Sequence, residues 1–134
     1  MNVLVTGANG QLGNEMRLMA QNSSHHYIFT DVEELDITDF NAILQTVKEK
    51  EIQIIVNCAA YTNVDKAEND FDTANALNNI AVGRLANVAK AQNATLIHIS
   101  TDYVFNGNNH IPYTEDDITD PIGVYGKTKL AGEE

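Results

Sequence analysis

The sequence is poor in cysteine, proline and tryptophan. Its 134 residues include one Cys (Cys58), two Pro and no Trp. A single cysteine excludes an intramolecular disulfide framework and is typical of a reducing compartment, so we expect a cytoplasmic protein. No apolar run approaches the roughly 20 residues that span a membrane, and Met1 leads almost directly into an apolar segment. We therefore expect neither a membrane partner nor a targeting leader.

Positive charge is also scarce. There are 19 Asp and Glu against 8 Lys and Arg, which gives a formal net charge of −11 at pH 7. A surface of this sign repels phosphate backbones, so we expect no nucleic-acid partner. The histidines His25, His26 and His110 show no zinc-ligand spacing, and the acidic run 115–117 is more typical of a solvated loop than of a metal site.

What the sequence does contain is a regular alternation of short apolar, β-branched runs and helical patterns. This alternation predicts an α/β fold, a Rossmann-type doubly wound parallel sheet with helices on both faces, within one domain over 1–134. The predicted strands are 2–6, 26–30, 52–57 and 95–100. The predicted helices are 15–21, a short one within 63–70, 40–50, 73–91, and a last one that begins at Asp120-Pro121 and carries Tyr125 and Lys129.

Three glycines follow the first predicted strand directly. Gly7 allows a tight exit from the strand, Gly10 lets the backbone approach a pyrophosphate, and Gly13 lets the next helix pack closely. Strand, glycine turn and helix in this order favour a dinucleotide-binding turn, with free N–H groups of the helix facing the phosphates. Asp31, at the end of the second strand, stands where a ribose-binding carboxylate belongs; alternatively it only caps a turn.

Near the end of the chain, Thr101, Tyr125 and Lys129 form a candidate reaction centre. Tyr125 and Lys129 are spaced i, i+4 and share a helix face. A cation beside a phenol lowers the phenol pKa, which makes Tyr125 a candidate proton donor. Right-handed crossovers bring the carboxyl ends of all strands to one edge, so the glycine turn, Asp31, Ala60 and Thr101 should converge.

Three further residues carry expectations. Cys58 is predicted to be a small buried hydrophobe rather than a nucleophile. His98 alternates with apolar neighbours and is predicted to be packed and hydrogen-bonded rather than catalytic. Arg84 is predicted to lie on the solvated side of its helix.

Taken together, these motifs resemble the extended short-chain dehydrogenase/reductase family over the whole chain. The resemblance rests on the segments 5–13, 56–68, 100–105 and 124–133. The second and third are similar to the branch that reduces 4-keto-6-deoxy sugar nucleotides. The resemblance implies NADPH or NADH as cofactor, a sugar nucleotide as substrate, and oxidoreductase activity.

The resemblance also implies roles for individual residues. The phosphates would contact the backbone of Gly10, Gln11 and Leu12. Asp31 would lie by the adenosine ribose, Asp36 and Ile37 would flank the adenine, and Ala60, Tyr61 and Thr62 would lead to the nicotinamide. The catalytic set would be Thr101, Tyr125 and Lys129. Thr101 and Asp102 would also contact the substrate. Glu15 matches a position that some members use for magnesium at a dimer contact, so magnesium and a homodimer are possible.

Several alternatives stay open. Tyr103 stands where dehydratases of this family carry Glu, so water elimination is disfavoured, whereas an epimerase is harder to exclude. A non-catalytic regulatory subunit, similar to the β subunit of methionine adenosyltransferase, is the alternative from another class. Asp31 would repel a 2′-phosphate and favour NADH, although members use both cofactors. We further expect the substrate domain to lie outside these residues, so that the chain binds dinucleotide with little turnover.

Overall fold

The computed structural model describes all of residues 1–134, and its centre is a four-stranded parallel sheet. The strands are β1 (Asn2–Thr6), β2 (His26–Thr30), β3 (Ile54–Asn57) and β4 (Thr95–His98). Their spatial order is β2-β1-β3-β4, with Val5 opposite both Phe29 and Val56. The chain thus leaves β1 towards one edge and returns to build the other, which puts a topological switch point between β1 and β3.

Helices connect these strands and continue beyond the last one. They are α1 (Gln11–Ala20), α2 (Phe40–Glu49), α3 (Val64–Ala67), α4 (Phe71–Asn75), α5 (Ala81–Ala91) and α6 (Val124–Glu133). A π-helical segment, Ala76–Ile80, joins α4 to α5, and a 3-10 turn, Asp102–Val104, follows β4. The Asp39 carboxylate caps α2 by accepting from the N–H groups of Asn41 and Ala42. None of the helices is both long and apolar enough to cross a membrane.

The two faces of the sheet are covered by different helices, which confirms the doubly wound prediction. On one face, Leu4 and Ile55 pack against apolar residues of α2 and α5, including Ile43 and Leu85, all 0% exposed. The other face carries Val3, Val5 and Val56 and packs against α1 through Met16. Burial of this kind contributes about 25 cal/mol per Å² of apolar surface, so the continuous apolar runs of the strands determine the fold.

Two predictions about helices are wrong. The last helix begins at Val124 rather than at Asp120-Pro121, because Gly123 is extended (φ −92°, ψ 168°) and the Asp120 N–H bonds instead to the Val104 carbonyl. Arg84 is half-buried rather than fully solvated, and its guanidinium donates to the Thr38 carbonyl. In addition, α1 begins four residues earlier than the helical pattern alone indicates, directly after Gly10.

Candidate dinucleotide and reaction site

The glycine turn lies at the switch point of the sheet. Gly7 has φ +64°, and a Cβ on it would lie 2.5 Å from the Ala59 backbone at the end of β3. A Cβ on Gly13 would lie 2.5 Å from the Ala8 Cα. No other residue type fits either position without moving the backbone, so both glycines keep strand, turn and α1 in close contact.

The N-terminus of α1 is open to an anion. Its N-cap residue is Gly10, no side chain caps it, and its first turn carries no acidic residue. The first N–H groups of a helix have no partner within the helix and carry a partial positive charge. Backbone amides at Gln11 and Leu12 therefore offer donors to a phosphate, and this feature fits a dinucleotide.

Asp31 both shapes the turn and faces the cavity beside it. Its Oδ2 accepts from the Asn9 N–H at 2.9 Å, and its Oδ1 accepts from the Val32 N–H at 2.8 Å. A carboxylate accepts about four hydrogen bonds in total, so two positions are free for the hydroxyls of a sugar. The two sequence-based alternatives for Asp31, turn stabilisation and ribose binding, are thus compatible.

A cavity of about 730 Å³ runs along this edge of the sheet, within the about 300–1,000 Å³ of small-molecule sites. It contains eleven of the residues predicted to bind or act on a ligand: Gly7, Gly10, Gln11, Leu12, Asp31, Asp36, Ile37, Ala60, Thr62, Tyr125 and Lys129. Val32, Leu35 and Ile37 follow β2 at one edge of the sheet and supply apolar wall, whereas Lys129 contacts the Ile99 carbonyl just after β4, at the other edge. An elongated ligand with an aromatic base at one end and a reacting group at the other fits this distribution.

The structure does not bring four predicted residues into the cavity wall. Gly13 is the buried residue of α1 and packs on Ala8, and the Tyr61 hydroxyl donates to Asp70 at 3.0 Å. Thr101 caps the 3-10 turn by accepting from the Tyr103 N–H at 3.3 Å, and its hydroxyl lies 3.3 Å from an Asp102 oxygen. Asp102 itself lines a second cavity of about 400 Å³, which also touches Tyr125.

Sequence reasoning missed several wall residues: Val32, Leu35, Cys58, Ala59, Leu77, Ile99 and Ser100. Most of them directly follow a strand, and that position was the signal available for finding them. Cys58 is half-buried and faces the cavity rather than being a fully buried hydrophobe, and burial raises its thiol pKa. The protonated thiol is a poor nucleophile, which agrees with the expectation of no nucleophilic role.

The helix α6 presents Tyr125 and Lys129, and contacts from distant segments hold it. The Glu68 carboxylate accepts from the Val124 N–H at 2.8 Å and so caps a helix whose own N-cap residue is Gly123. Lys129 is only 2% exposed, and its Nζ donates to the Ile99 carbonyl at 2.5 Å. Burial lowers the Lys129 pKa, and the nearby Glu133 carboxylate opposes this change in part.

The magnesium expectation finds no support. Glu15 is exposed on α1, and the structure contains no group of three His, Cys, Asp or Glu side chains that could hold a metal ion.

Comparisons with known proteins agree with this geometry. Residues 1–134 match the family described as "RmlD substrate binding domain". A dTDP-4-dehydrorhamnose reductase from Mycolicibacterium smegmatis is 42% identical over 133 residues, covering 98% of this chain and 40% of that protein. Methionine adenosyltransferase 2 subunit beta from Pongo abelii is also 42% identical, over 138 residues, covering 98% of this chain and 41% of that protein.

A solved structure has the same fold. The crystal structure of dTDP-4-dehydrorhamnose reductase from Bacillus anthracis in complex with NADP superposes with a TM-score of 0.95. The two sequences are 40% identical, and the match covers 98% of this chain and 47% of that one. The chain thus spans less than half the length of these relatives.

Proposed function

The chain belongs to the RmlD substrate binding domain family, and on that premise we propose that it is the dinucleotide-binding part of a dTDP-4-dehydrorhamnose reductase. The proposed reaction is the NADPH- or NADH-dependent reduction of the 4-keto group of dTDP-4-dehydro-6-deoxy-L-mannose to dTDP-L-rhamnose, a step of nucleotide-sugar synthesis. The observation that carries this proposal is that Tyr125 and Lys129 share one cavity with the glycine turn and Asp31.

A bound reduced nicotinamide would supply a hydride to C4 of the sugar and would itself be oxidised. The C4–O π bond breaks, and the oxygen takes the phenolic proton of Tyr125, so that an alcohol forms. The Tyr125 phenolate regains its proton from water. Lys129 lines the same cavity as Tyr125, and its ammonium would favour negative charge on the reacting oxygen, while α1 and Asp31 would hold the phosphates and the ribose.

Cofactor preference belongs to the same proposal. The Asp31 carboxylate disfavours a 2′-phosphate by like-charge repulsion, but a 40% identical relative was crystallised with NADP. We propose that both dinucleotides bind, NADH more tightly. Fluorescence titration of residues 1–134 with NADH and NADPH tests this preference. If neither dinucleotide binds, the proposed dinucleotide site is refuted.

Turnover is tested with the complete protein that contains this chain. We expect NADPH or NADH oxidation with the keto-sugar nucleotide, and Tyr125→Phe should lower turnover at least about 100-fold, the contribution typical of a general acid. The matched control is Tyr27→Phe, which removes a phenol oxygen from β2, outside the cavity. Equal activity of the two variants would refute the proton-donor role.

A second candidate function is a regulatory subunit, because methionine adenosyltransferase 2 subunit beta is as similar to this chain as a reductase is. The turnover assay separates the two. Tight association with a synthetase subunit, without oxidation of either dinucleotide in the presence of the keto-sugar nucleotide, would favour the regulatory function.

A further inference from the structure

His98, the last residue of β4, lies between two functional parts of the molecule. Its Nδ1 is 3.1 Å from Asn57 Nδ2, and its Nε2 is 3.4 Å from Lys129 Nζ. The ring is half-buried and packed, as the sequence predicted. The proposed reaction assigns it no role, yet it touches the buried amine beside which that reaction would occur.

The side chain of Asn57 determines which His98 nitrogen carries a proton. Asn57 is 1% exposed, and its Oδ1 accepts from the Ala59 N–H at 3.2 Å and from the Thr6 hydroxyl at 2.6 Å. A backbone N–H can only donate, so the amide cannot be turned around without placing two donors against each other. The Asn57 NH₂ therefore points at His98 Nδ1, which must accept, and the neutral ring carries its proton on Nε2.

The consequence falls on Lys129. The Nε2–H of His98 faces Nζ, so on this side the ammonium meets a donor and finds no acceptor. Its acceptor is the Ile99 carbonyl, and Glu133 is the one charged group that raises its pKa. Burial, and then the Lys129 charge, lower the His98 pKa from 6.5 to about 4, so His98 remains neutral near pH 7.

We propose that His98 is a positioning residue for Lys129. The hydrogen bonds of Asn57 to Thr6 and Ala59 hold His98 in the Nε2–H tautomer. In this tautomer the ring offers Lys129 no acceptor, so the free ammonium protons of Lys129 point into the cavity. The significance of this arrangement for hydride transfer rests on the proposed function, whereas the tautomer is a property of the chain alone. Sheet interior and reaction site are thereby linked through one imidazole ring.

The test is nitrogen NMR of labelled residues 1–134 without dinucleotide. We expect His98 to show a protonated Nε2 and an unprotonated Nδ1 at pH 7. Asn57→Asp keeps the acceptor for Ala59 and Thr6 but replaces the donor facing Nδ1, so the proton should move to Nδ1. Nε2 then accepts from Lys129, and the Lys129 pKa should rise by about one unit, because this acceptor and the introduced carboxylate charge both favour the ammonium. The position of the His98 proton is therefore the decisive readout of this variant.

His98→Gln is the matched control. An amide can accept from Asn57 and still turn its NH₂ towards Lys129, so the Lys129 pKa should stay at the wild-type value. An Nδ1–H or doubly protonated His98 in the wild type at pH 7 would overturn the proposal, even if Asn57→Asp fails to fold. Retention of the Nε2 proton in a folded Asn57→Asp variant would overturn it equally.

A second measurement reads out positioning. The dinucleotide affinity should weaken as Lys129 loses its proton at high pH. The pH midpoint of this weakening should rise in Asn57→Asp by the same amount as the Lys129 pKa, about one pH unit. A midpoint that does not move would refute the link to the site. The absence of dinucleotide binding would refute the proposed function instead, and would leave the tautomer result unaffected.

Discussion

Asn78→Ala probes the connection between the cavity wall and α6. Asn78 lies in the π-helical segment between α4 and α5 and is 0% exposed. Its Oδ1 accepts from the Tyr61 N–H at 2.8 Å, and its Nδ2 lies 3.1 Å from both the Tyr61 carbonyl and the Thr128 hydroxyl. The Thr128 hydroxyl in turn donates to the Tyr125 carbonyl at 3.0 Å. One amide thus ties two otherwise separate segments together.

The magnitude follows from these contacts. Each hydrogen bond contributes about 0.5–1.5 kcal/mol, and a buried partner left without a bond costs about 1–3 kcal/mol. Three bonds are lost, and Thr128 keeps one of its own, so we expect a loss of about 3–4 kcal/mol in the free energy of unfolding. This is a large part of the roughly 5–15 kcal/mol that stabilises an ordinary domain, and it should lower the Tm by roughly 10 °C.

Urea unfolding followed by circular dichroism measures this difference. The matched control is Asn79→Ala, the next residue, whose side chain makes one hydrogen bond to Asn75, four positions earlier at the end of α4. Such a pair contributes only about 0.2–0.5 kcal/mol. If Asn78→Ala and Asn79→Ala lower the free energy of unfolding equally, the idea that Asn78 joins the two segments is wrong.

Three further predictions use the same physical reasoning. Gly7→Ala places a Cβ 2.5 Å from the Ala59 backbone at φ +64°, so we expect a clear fall in Tm and in dinucleotide binding. The control Gly83→Ala, at a position with open space around it, should raise the free energy of unfolding by about 1 kcal/mol. A Gly7→Ala protein as stable as the wild type would contradict this reasoning. Glu68→Ala removes the cap on the Val124 N–H and should lower the free energy of unfolding in urea by about 1 kcal/mol. Glu68→Gln keeps an acceptor and should keep most of the stability. An equal loss of stability in both variants would point to the charge of Glu68 rather than to capping. The pKa of His98 is about 4 in the folded chain and 6.5 in the unfolded chain. Between these pH values the unfolded chain binds the extra proton, so stability should fall as the pH drops from 6.5 towards 4. His98→Gln should lack this part of the pH dependence, and identical pH profiles of the two proteins would refute the prediction.

The strands and the glycine turn were predictable because their signals are local. Apolar, β-branched runs of four to six residues have one favourable place in a parallel sheet, and a glycine at φ +64° followed by a helix needs no distant partner to be recognised. The i, i+4 spacing of Tyr125 and Lys129 is likewise a local property of a helix.

The ends of elements were less predictable where a distant residue decides them. The start of α6 at Val124 depends on Glu68, a partner 56 positions away, and not on Pro121 alone. The hydrogen bond from Arg84 to Thr38 also joins residues far apart in sequence. Helical spacing alone does not contain this contact, and it therefore predicted a solvated Arg84 where the side chain is half-buried.

Local sequence patterns were sufficient to predict the parallel α/β sheet, the position of the dinucleotide turn and the residue types of the candidate reaction centre, because each depends on neighbours within a few positions. The packing of the elements was needed to establish which of these side chains share a cavity, that Thr101 lies outside its wall, and that His98 lies between Asn57 and Lys129. Those outcomes depend on the register of β3 against β4, where Asn57 lies opposite His98, and on how α6 packs across them. Such relations join residues 30 to 50 positions apart, and a local pattern does not contain them.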